Sequence, residues 1–283
     1  MKNIALFIKS DKDSALKCVA DAVGILTDLG CTLYVDSANE YLGLKSNNIR
    51  YVPEDNLYDN AECVVVFGGD GTIMRAAHST VLPIIAVNLG RIGYLAELET
   101  DEVHLLKKIV DDDYTLDNRM MFKCLVQRDG KKVFESSNIL NDIVLTKGGY
   151  SEMPEVELFC DNEEVGRFIA DGLICATPTG STAYSLSAGG PIVAPNLELF
   201  CVSHICPQSF YAKPLVFDGR SVLVLKKGVR AHGRIHLVAD GKIVSEIIDG
   251  DEIIVSKGEK VTKFISVKQK NRYSVMRSKM TEI

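Results

Sequence analysis

Cys63-Val64-Val65-Val66-Phe67-Gly68-Gly69-Asp70-Gly71-Thr72 is the stretch of sequence from which the fold can be inferred. Its first five residues form an unbroken apolar run, which is typical of a strand buried on both faces of a parallel sheet. The glycines that follow allow the backbone to turn tightly and to approach a ligand closely. The spacing then predicts a short helix over residues 73–79. The stretch therefore predicts a strand, a turn and a helix, with a ligand at the turn.

The same alternation of strands and helices extends over the first 115 or so residues. Such alternation indicates a parallel sheet that is covered by helices. We expect strands at 3–9, Thr32–Asp36, Cys63–Phe67 and 82–88, helices at 11–29, 73–79 and 101–110, and an irregular polar segment at 37–60.

Beyond three consecutive aspartates at 111–113, the sequence consists of short β-rich runs with one helical segment near 182–188. Asp-Gly pairs at 129–130, 218–219, 240–241 and 249–250 predict hairpin turns, because both central residues of a type I′ turn need a positive φ. We therefore expect an α/β N-terminal nucleotide domain at 1–115 and a mostly β, sandwich-like C-terminal domain at 116–265. Residues 266–283 are too few for a domain and are expected to pack back on the first one.

Composition limits the classes of partner. The chain has 283 residues, 46% of them hydrophobic, and a formal net charge of −6. An acidic chain without a Lys/Arg block is not expected to bind nucleic acid or an anionic membrane, and no apolar stretch approaches the ~20 residues that span a bilayer. None of the eight cysteines forms a Cys-x-x-Cys pair. Such thiols are typical of a reducing compartment, so we expect a cytoplasmic protein.

Asp70 places a carboxylate at a turn whose N–H groups, with those of the helix N-terminus, form a site for phosphate. A carboxylate repels phosphate, so its presence there needs a reason. It can accept a proton from an attacking hydroxyl or bind Mg²⁺, or it can cap the helix. The segment is neither a Walker motif nor a Gly-x-Gly-x-x-Gly fingerprint. Phosphate chemistry and a structural cap both stay open on these residues alone.

Three further segments carry polar residues at informative places. A glycine-rich loop at 88–95 follows the next predicted strand and should lie at the same sheet edge. Asn141 and Asp142 interrupt an apolar strand, either at its end or to reach a partner. In residues 171–191 a strand leads into a loop of small residues and then a helix, where Thr179, Ser181 and Thr182 offer hydroxyls. Tyr184 either stacks on a base or fills the core.

Together these segments resemble the NAD kinases, which use ATP or polyphosphate. The match comprises Gly-Gly-Asp-Gly-Thr at 68–72, Asn-x-Gly-x-x-Gly at 88–93, Asn-Asp at 141–142, Asp-Gly-Leu-Ile at 171–174, the run at 177–191 and Asp-Gly at 240–241. It covers nearly the whole chain in the expected order. The first motif is shared with diacylglycerol-type lipid kinases and phosphofructokinases, whereas the long stretch at 171–191 is more specific. The family often has Asn-Glu where this chain has Asn141-Asp142.

The resemblance implies transfer of the γ-phosphoryl group to the 2′-hydroxyl of the adenosine ribose of NAD, giving NADP. It implies that Asp70 is the base, and that Asn141 and Asp142 hold the adenosine half. The residues implied at donor phosphates are Gly68, Gly69, Gly71 and Thr72. The other residues implied at NAD are Asp70, Gly71, Asp171, Thr182, Ala183, Tyr184, Ser187, Asp240 and Gly241.

The resemblance also implies NAD and ATP, or polyphosphate, as substrates and a divalent cation, Mg²⁺ or Mn²⁺, near Asp70. A homodimer or homotetramer is implied as well, because sites in this family borrow residues from a neighbouring subunit. Two other classes stay open on the sequence. A lipid kinase would keep residues 68–72 but would not need 171–191. A catalytically silent dinucleotide sensor would keep 171–191 but could lose Asp70, which is present.

Overall fold

The computed structural model describes residues 1–9, 13–90, 93–149, 153–229 and 234–268. The chain packs into two compact units. One contains Met1–Asn118 together with the described residues 262–268, and the other contains Arg119–Val261. Most of the segment expected to pack back on the first domain, residues 269–283, lies outside the described part of the chain.

The first unit contains a parallel sheet with the strand order β3-β2-β1-β4-β5. Beyond β5, the last residues of β17 extend this sheet in parallel, with Phe264 opposite Ile84. The buried strand predicted from residue 63 is confirmed, since every residue of β4 is buried. The bounds are β1 Asn3–Ile8, β2 Thr32–Asp36, β3 Ile49–Val52, β4 Cys63–Phe67 and β5 Ile84–Val87, with β17 at Glu252–Ser266.

Helices pack on this sheet and differ at their ends from the prediction. Helix α2 begins at Asp70, three residues before the predicted start. The predicted helix at 101–110 is mostly a 3₁₀-helix, and a capping box between Glu99 and Glu102 satisfies backbone groups of its first turn. The bounds are α1 Asp13–Asp28, α2 Asp70–Ser79 and α3 Lys107–Val110, with 3₁₀-helices at Ser37–Leu42, Glu54–Asn56 and Thr100–Leu106. Within the described ranges, no helix has the length and apolarity needed to cross a membrane.

The order of these strands fixes where a ligand can enter. From β1 the chain moves outward through β2 and β3, then returns to add β4 and β5 on the other side of β1. In open parallel sheets the ligand crevice lies at the carboxyl edge where the strand order reverses, which here is beside β1 and β4. The turn after β4 is Gly68-Gly69 and α2 begins at Asp70, so the glycine-rich motif lies at this crevice.

The second unit consists mostly of antiparallel strands in two layers, as predicted. One layer has the order β13-β12-β11-β8-β15-β16, and the other has β10-β9-β14-β17 with β6 beside β17 and β7 beside β6. The bounds are β6 Thr115–Arg128, β7 Lys131–Ile139, β8 Asp142–Lys147, β9 Glu155–Cys160, β10 Glu163–Ile169, β11 Gly172–Ala176, β12 Leu199–Ile205, β13 Leu215–Asp218, β14 Leu223–Lys227, β15 Ile235–Ala239 and β16 Lys242–Ile247. A 3₁₀-helix at Gly180–Thr182 and a short helix α4 at Tyr184–Ser187 follow β11.

The two layers of the second unit bury one apolar core between them. Phe122 of β6 stacks on Phe200 of β12, with ring centroids 4.9 Å apart and the planes at 8°. Leu158 and Leu223 come from the layer that contains β6, and Leu173 comes from the layer that contains β12. This arrangement of two facing sheets confirms the predicted sandwich.

Two of the four Asp-Gly predictions are correct. Asp129-Gly130 joins β6 to β7 and Asp240-Gly241 joins β15 to β16, with positive φ at all four residues. The predictions at 218–219 and 249–250 are wrong, because the strands on either side of each pair belong to different layers. Those two turns carry the chain from one sheet to the other.

Candidate active site

Asp70 is the first residue of α2, and its carboxylate is oriented by a loop that follows the next strand. Its Oδ2 accepts a hydrogen bond from the Tyr94 N–H at 2.8 Å, and its Oδ1 accepts one from the Leu95 N–H at 3.2 Å. The N-cap of the helix is Gly69. The cap hypothesis therefore fails, since a cap residue precedes the helix and accepts from its first N–H groups.

The glycines around Asp70 differ in why a side chain would or would not fit at each position. A Cβ on Gly68 would lie 2.6 Å from the Thr72 side chain, so this glycine is required by packing. A Cβ on Gly69 or Gly71 would meet no atom within 4 Å, so both face open space. A Cβ on Gly93 would overlap the Asp70 carboxylate. Only glycine at 93 lets the second loop come close enough to hold Asp70.

The second loop is fixed by Asn88, which is buried at the end of β5. Its Oδ1 accepts from the Gly90 N–H at 3.1 Å, and its Nδ2 donates to Glu99 at 3.0 Å. The residues predicted at the centre of this motif, Arg91 and Ile92, lie outside the described part of the chain. The described residues of the loop thus serve to position Asp70.

In the second unit, one end of the six-stranded sheet collects most of the other predicted residues. Strand β8 runs antiparallel to both β11 and β15, and Asp142 lies opposite Ala176. The start of β8 therefore lies beside the ends of β11 and β15. Asn141 and Asp142 come at the start of β8, the loop from Thr177 follows β11, and Asp240-Gly241 follows β15.

Asp240 holds the chain that enters β8. Its Oδ2 accepts from the Leu140 N–H at 2.8 Å, and its Oδ1 accepts from the N–H groups of Asn141 at 2.7 Å and Asp142 at 3.1 Å. Its own N–H donates to the Asp142 carbonyl at 3.0 Å. Asp240 is therefore the residue that shapes the backbone of the Asn141-Asp142 pair.

Asp142 is buried beside Asp240, with 5% of its surface exposed. Burial, and then the negative charge of Asp240, raise the pKa of the Asp142 carboxyl to about 7. Both causes act in the same direction, because each disfavours the charged form. Asp142 is thus a carboxyl group that exchanges its proton near neutral pH.

The hydroxyls of the loop after β11 bond within the second unit. The Thr177 hydroxyl donates to the Leu140 carbonyl at 2.5 Å, and the Ser181 hydroxyl donates to the Pro178 carbonyl at 2.7 Å. The Thr182 hydroxyl donates to the Thr179 carbonyl at 3.2 Å, while the Thr179 hydroxyl accepts from Arg119. The Thr177 hydroxyl thus ties the loop to the chain that enters β8, and the Ser181 and Thr182 hydroxyls bond within the loop.

Four residues of the predicted NAD set lie at or near the surface. Tyr184 is 47% exposed, so the alternative in which it fills the core is wrong. Ser187 is also exposed, one turn further along α4, and Thr182 and Ala183 are half-buried. Tyr184 therefore presents an aromatic face to solvent.

Asp171 lies apart from this group. It precedes Gly172, which is opposite Thr146 near the end of β8, whereas Asp142 starts that strand. The length of β11, five residues, separates Asp171 from Asp142 by roughly 16 Å. Its carboxylate pairs with Lys147 Nζ at 2.7 Å. Sequence reasoning missed Lys147, because no local pattern shows that the end of one strand faces the start of another.

The first unit offers one well-placed carboxylate for a cation. No group of three or more metal-ligating side chains occurs within the described ranges. Mg²⁺ commonly binds through one or two carboxylates, with waters and substrate phosphates as its other ligands. Asp70 beside open space at Gly69 and Gly71 fits a cation that arrives with phosphate.

Comparison with known families gives two matches that together cover most of the chain. Residues 4–114 match the family described as ATP-NAD kinase N-terminal domain. Residues 140–267 match the family described as ATP-NAD kinase C-terminal domain.

Individual proteins match over the full length. An NAD kinase from Acetivibrio thermocellus is 34% identical over 285 residues, covering 99% of this chain and 97% of that protein. One from Caldanaerobacter subterraneus is 34% identical and covers both chains completely. Among solved structures, yeast NADH kinase complexed with NADH has a TM-score of 0.86 at 26% identity, covering 100% of this chain and 87% of that one. An NAD kinase from Archaeoglobus fulgidus in complex with ATP has a TM-score of 0.73 at 27% identity, with both chains fully covered.

Proposed function

This chain belongs to the NAD kinase family, and from that premise we propose how its own residues act in the reaction. As an NAD kinase it is a phosphotransferase that moves a phosphoryl group from ATP to NAD, giving NADP. The second family match, at 140–267, gives the lipid-kinase alternative no support.

We assign Asp70 the role of base. The observation that carries this assignment is the orientation of its carboxylate by the Tyr94 and Leu95 N–H groups at the crevice of the parallel sheet. A carboxylate has about four lone-pair sites, so two hydrogen bonds leave room for a ribose hydroxyl. As the bond from the 2′-oxygen to the γ-phosphorus forms and the bond from that phosphorus to ADP breaks, Asp70 takes the proton of the 2′-hydroxyl.

The donor phosphates are proposed to bind at the turn before α2. The N-terminal end of α2 carries partial positive charge, which favours anions. Gly69 and Gly71 leave the space that a phosphate needs, and Gly68 and Thr72 pack together to shape the turn. ATP is the donor that agrees with the family descriptions; polyphosphate is the alternative donor to test beside it.

NAD is proposed to bind Asn141 and Asp142 through its adenosine half. Tyr184 and Ser187 are exposed and Thr182 and Ala183 half-buried, so these residues can contact the dinucleotide. Asp171, at the other end of β11, is proposed to meet a different part of NAD from Asp142. Asp240 and Gly241 support the site through the turn between β15 and β16.

A divalent cation, Mg²⁺ or Mn²⁺, is proposed to accompany the donor phosphates near Asp70. When bound, it neutralises charge on the phosphates and so reduces their repulsion of the carboxylate. We expect excess EDTA to abolish NADP formation, and added Mg²⁺ to restore it. Full turnover in EDTA would contradict this role.

The active unit is proposed to be a homodimer or homotetramer in the cytoplasm. The oligomer is proposed from the precedent of the family. The compartment is proposed from the eight cysteines, which are all free thiols and mostly buried, as in proteins kept under reducing conditions.

The substitution Asp70→Asn tests the base. It keeps the size and one acceptor oxygen but removes the charge and the proton acceptor, so kcat should fall about 10²–10⁴-fold. Calorimetric affinity for NAD should change far less. NADP is measured with an NADP-specific dehydrogenase after incubation with ATP, Mg²⁺ and NAD.

Asp101→Asn is the matched control, because Asp101 is an exposed residue in the first turn of another helix of the same unit. Its kcat should equal that of the wild type. A folded Asp70→Asn protein with near-normal kcat would overturn the assignment.

A further inference from the structure

Two carboxyl groups lie side by side where β8 begins, and their surroundings differ. Asp240 accepts three backbone hydrogen bonds, from the N–H groups of 140, 141 and 142, at 2.7–3.1 Å. Both oxygens of Asp240 therefore act as hydrogen-bond acceptors.

Asp142 has no compensating charge among the described residues that surround it. The groups that face it are Asp240, from the turn after β15, and the buried thiol of Cys175 on β11. Its opposite neighbour on β11 is Ala176, and Ala239 ends the strand on the other side. A second negative charge, buried beside Asp240, would be repelled by the first and would lose its hydration.

We propose that Asp142 binds NAD as a neutral acid, donating its proton in a hydrogen bond to an acceptor atom of the adenosine half, and that Asp240 is the positioning residue which keeps it neutral. This inference rests on the proposed role of Asn141 and Asp142 in holding NAD. A neutral carboxyl can donate to a ring nitrogen of adenine or to a ribose oxygen, whereas a carboxylate can only accept.

The electrostatics of the pair support the proposal. Burial, and then Asp240, raise the pKa of Asp142 to about 7, against about 3.9 for a free Asp. A neutral Asp142 also adds no negative charge next to a dinucleotide whose pyrophosphate is already anionic. Asp240 contributes twice, by fixing the backbone at 140–142 and by repelling a second charge.

The test is the pH dependence of NAD affinity, measured by calorimetry without a phosphoryl donor from about pH 5.5 to about pH 8.5. Wild-type affinity should be constant at low pH and should fall about 10-fold per unit above the pKa, because the ionised form does not bind. In that range, binding should take up close to one proton, seen as a dependence on the ionisation enthalpy of the buffer.

Three variants separate the effect of the Asp142 proton from that of the Asp142 side chain and from that of the Asp240 charge. Asp142→Asn keeps a donor and an acceptor without charge, so it should bind within about 3-fold of wild type at low pH and show neither the decline nor the proton uptake. Asp142→Ala should lose about 10-fold or more at every pH. Asp240→Asn removes the neighbouring charge, so the decline should move to lower pH.

Asp218→Asn is the matched control. Asp218 also precedes a glycine in the second unit, but it is exposed and pairs with Arg220. This variant should reproduce the wild-type profile.

Loss of affinity in Asp142→Asn at low pH, or a flat wild-type profile without proton uptake, would overturn the neutral-acid proposal. If Asp240→Asn does not fold, the comparison of wild type with Asp142→Asn still tests whether Asp142 binds NAD as a neutral acid. Unchanged affinity in Asp142→Ala would instead overturn the proposed place of NAD at Asp142, and with it this inference. Failure of the wild type to form NADP would count against the function itself.

Discussion

For Asp142 as a single residue, the position beside Asp240 has a consequence for stability as well as for binding. Its pKa of about 7 in the folded protein exceeds the value of about 3.9 in an unfolded chain. Between these values the folded state holds the extra proton, so the free energy of unfolding falls as the pH rises and levels off above about 7. The slope is at most about 1.4 kcal/mol per pH unit.

Asp142→Asn should remove this contribution, so its stability relative to wild type should increase from about pH 4 to about pH 7. Urea unfolding at stepped pH, followed by circular dichroism, measures the difference. Parallel pH profiles of the two proteins would contradict the raised pKa.

At the scale of single residues, the sequence identifies a candidate where a local pattern carries the information. Asp70 stands out because a carboxylate within a glycine-rich turn is unusual. The partners that orient it, Tyr94 and Leu95, lie 24 and 25 residues further along the chain. The backbone groups held by Asp240 lie about 100 residues away. No local pattern reports such contacts, which is why Lys147 and the positioning role of Asp240 were missed.

Among the elements, glycines at turns and glycines in helices should respond in opposite ways to the same substitution. Gly130, in the hairpin turn between β6 and β7, has a φ of 71°, so Gly130→Ala should destabilise the protein by about 1 kcal/mol. Gly24 lies inside α1, where a Cβ meets no atom within 4 Å, so Gly24→Ala should stabilise by about 0.5–1 kcal/mol. Urea midpoints of the two variants measure the effects. Shifts of the same sign would refute this account of the turn.

The elements themselves were predictable in proportion to their burial and periodicity. Thr32–Asp36 and Cys63–Phe67 have the predicted bounds, because both are short runs rich in β-branched and aromatic residues, which favour strands. Ile49–Val52 was not predicted, since a four-residue edge strand with an exposed Arg50 resembles a loop. The hairpins predicted from Asp-Gly at 218–219 and 249–250 do not form, because the sheet to which a strand belongs depends on pairing with strands distant in sequence.

For the whole molecule, the fold class could be predicted because alternating strands and helices give way to short β-rich runs after residue 113. The oligomeric state could not be predicted from any such pattern. We expect sedimentation at assay concentrations to show a dimer or a tetramer, because the resemblance to the NAD kinases implies a site that borrows residues from a neighbouring subunit. Full activity of a protein that sediments only as a monomer would reject this expectation. A concentration series of specific activity gives an independent check, since dissociation should lower it on dilution.

The pairing of β17 with the first sheet has a consequence for folding during synthesis on the ribosome. Its last residues extend the first sheet beside β5, Ile265 and Val267 enter the core of that unit, and Glu97 accepts from the N–H groups of Val267 and Lys268 at 3.1 Å. Translation at about 5–20 residues per second leaves roughly 7–30 s between the synthesis of Asn118 and that of Phe264. During that interval Leu98 pairs with the β5 edge at Val87, but Ile84 lacks its partner on β17, and an unpaired strand edge can recruit other chains. The nascent enzyme thus completes only with β17 a sheet whose first strand begins at residue 3.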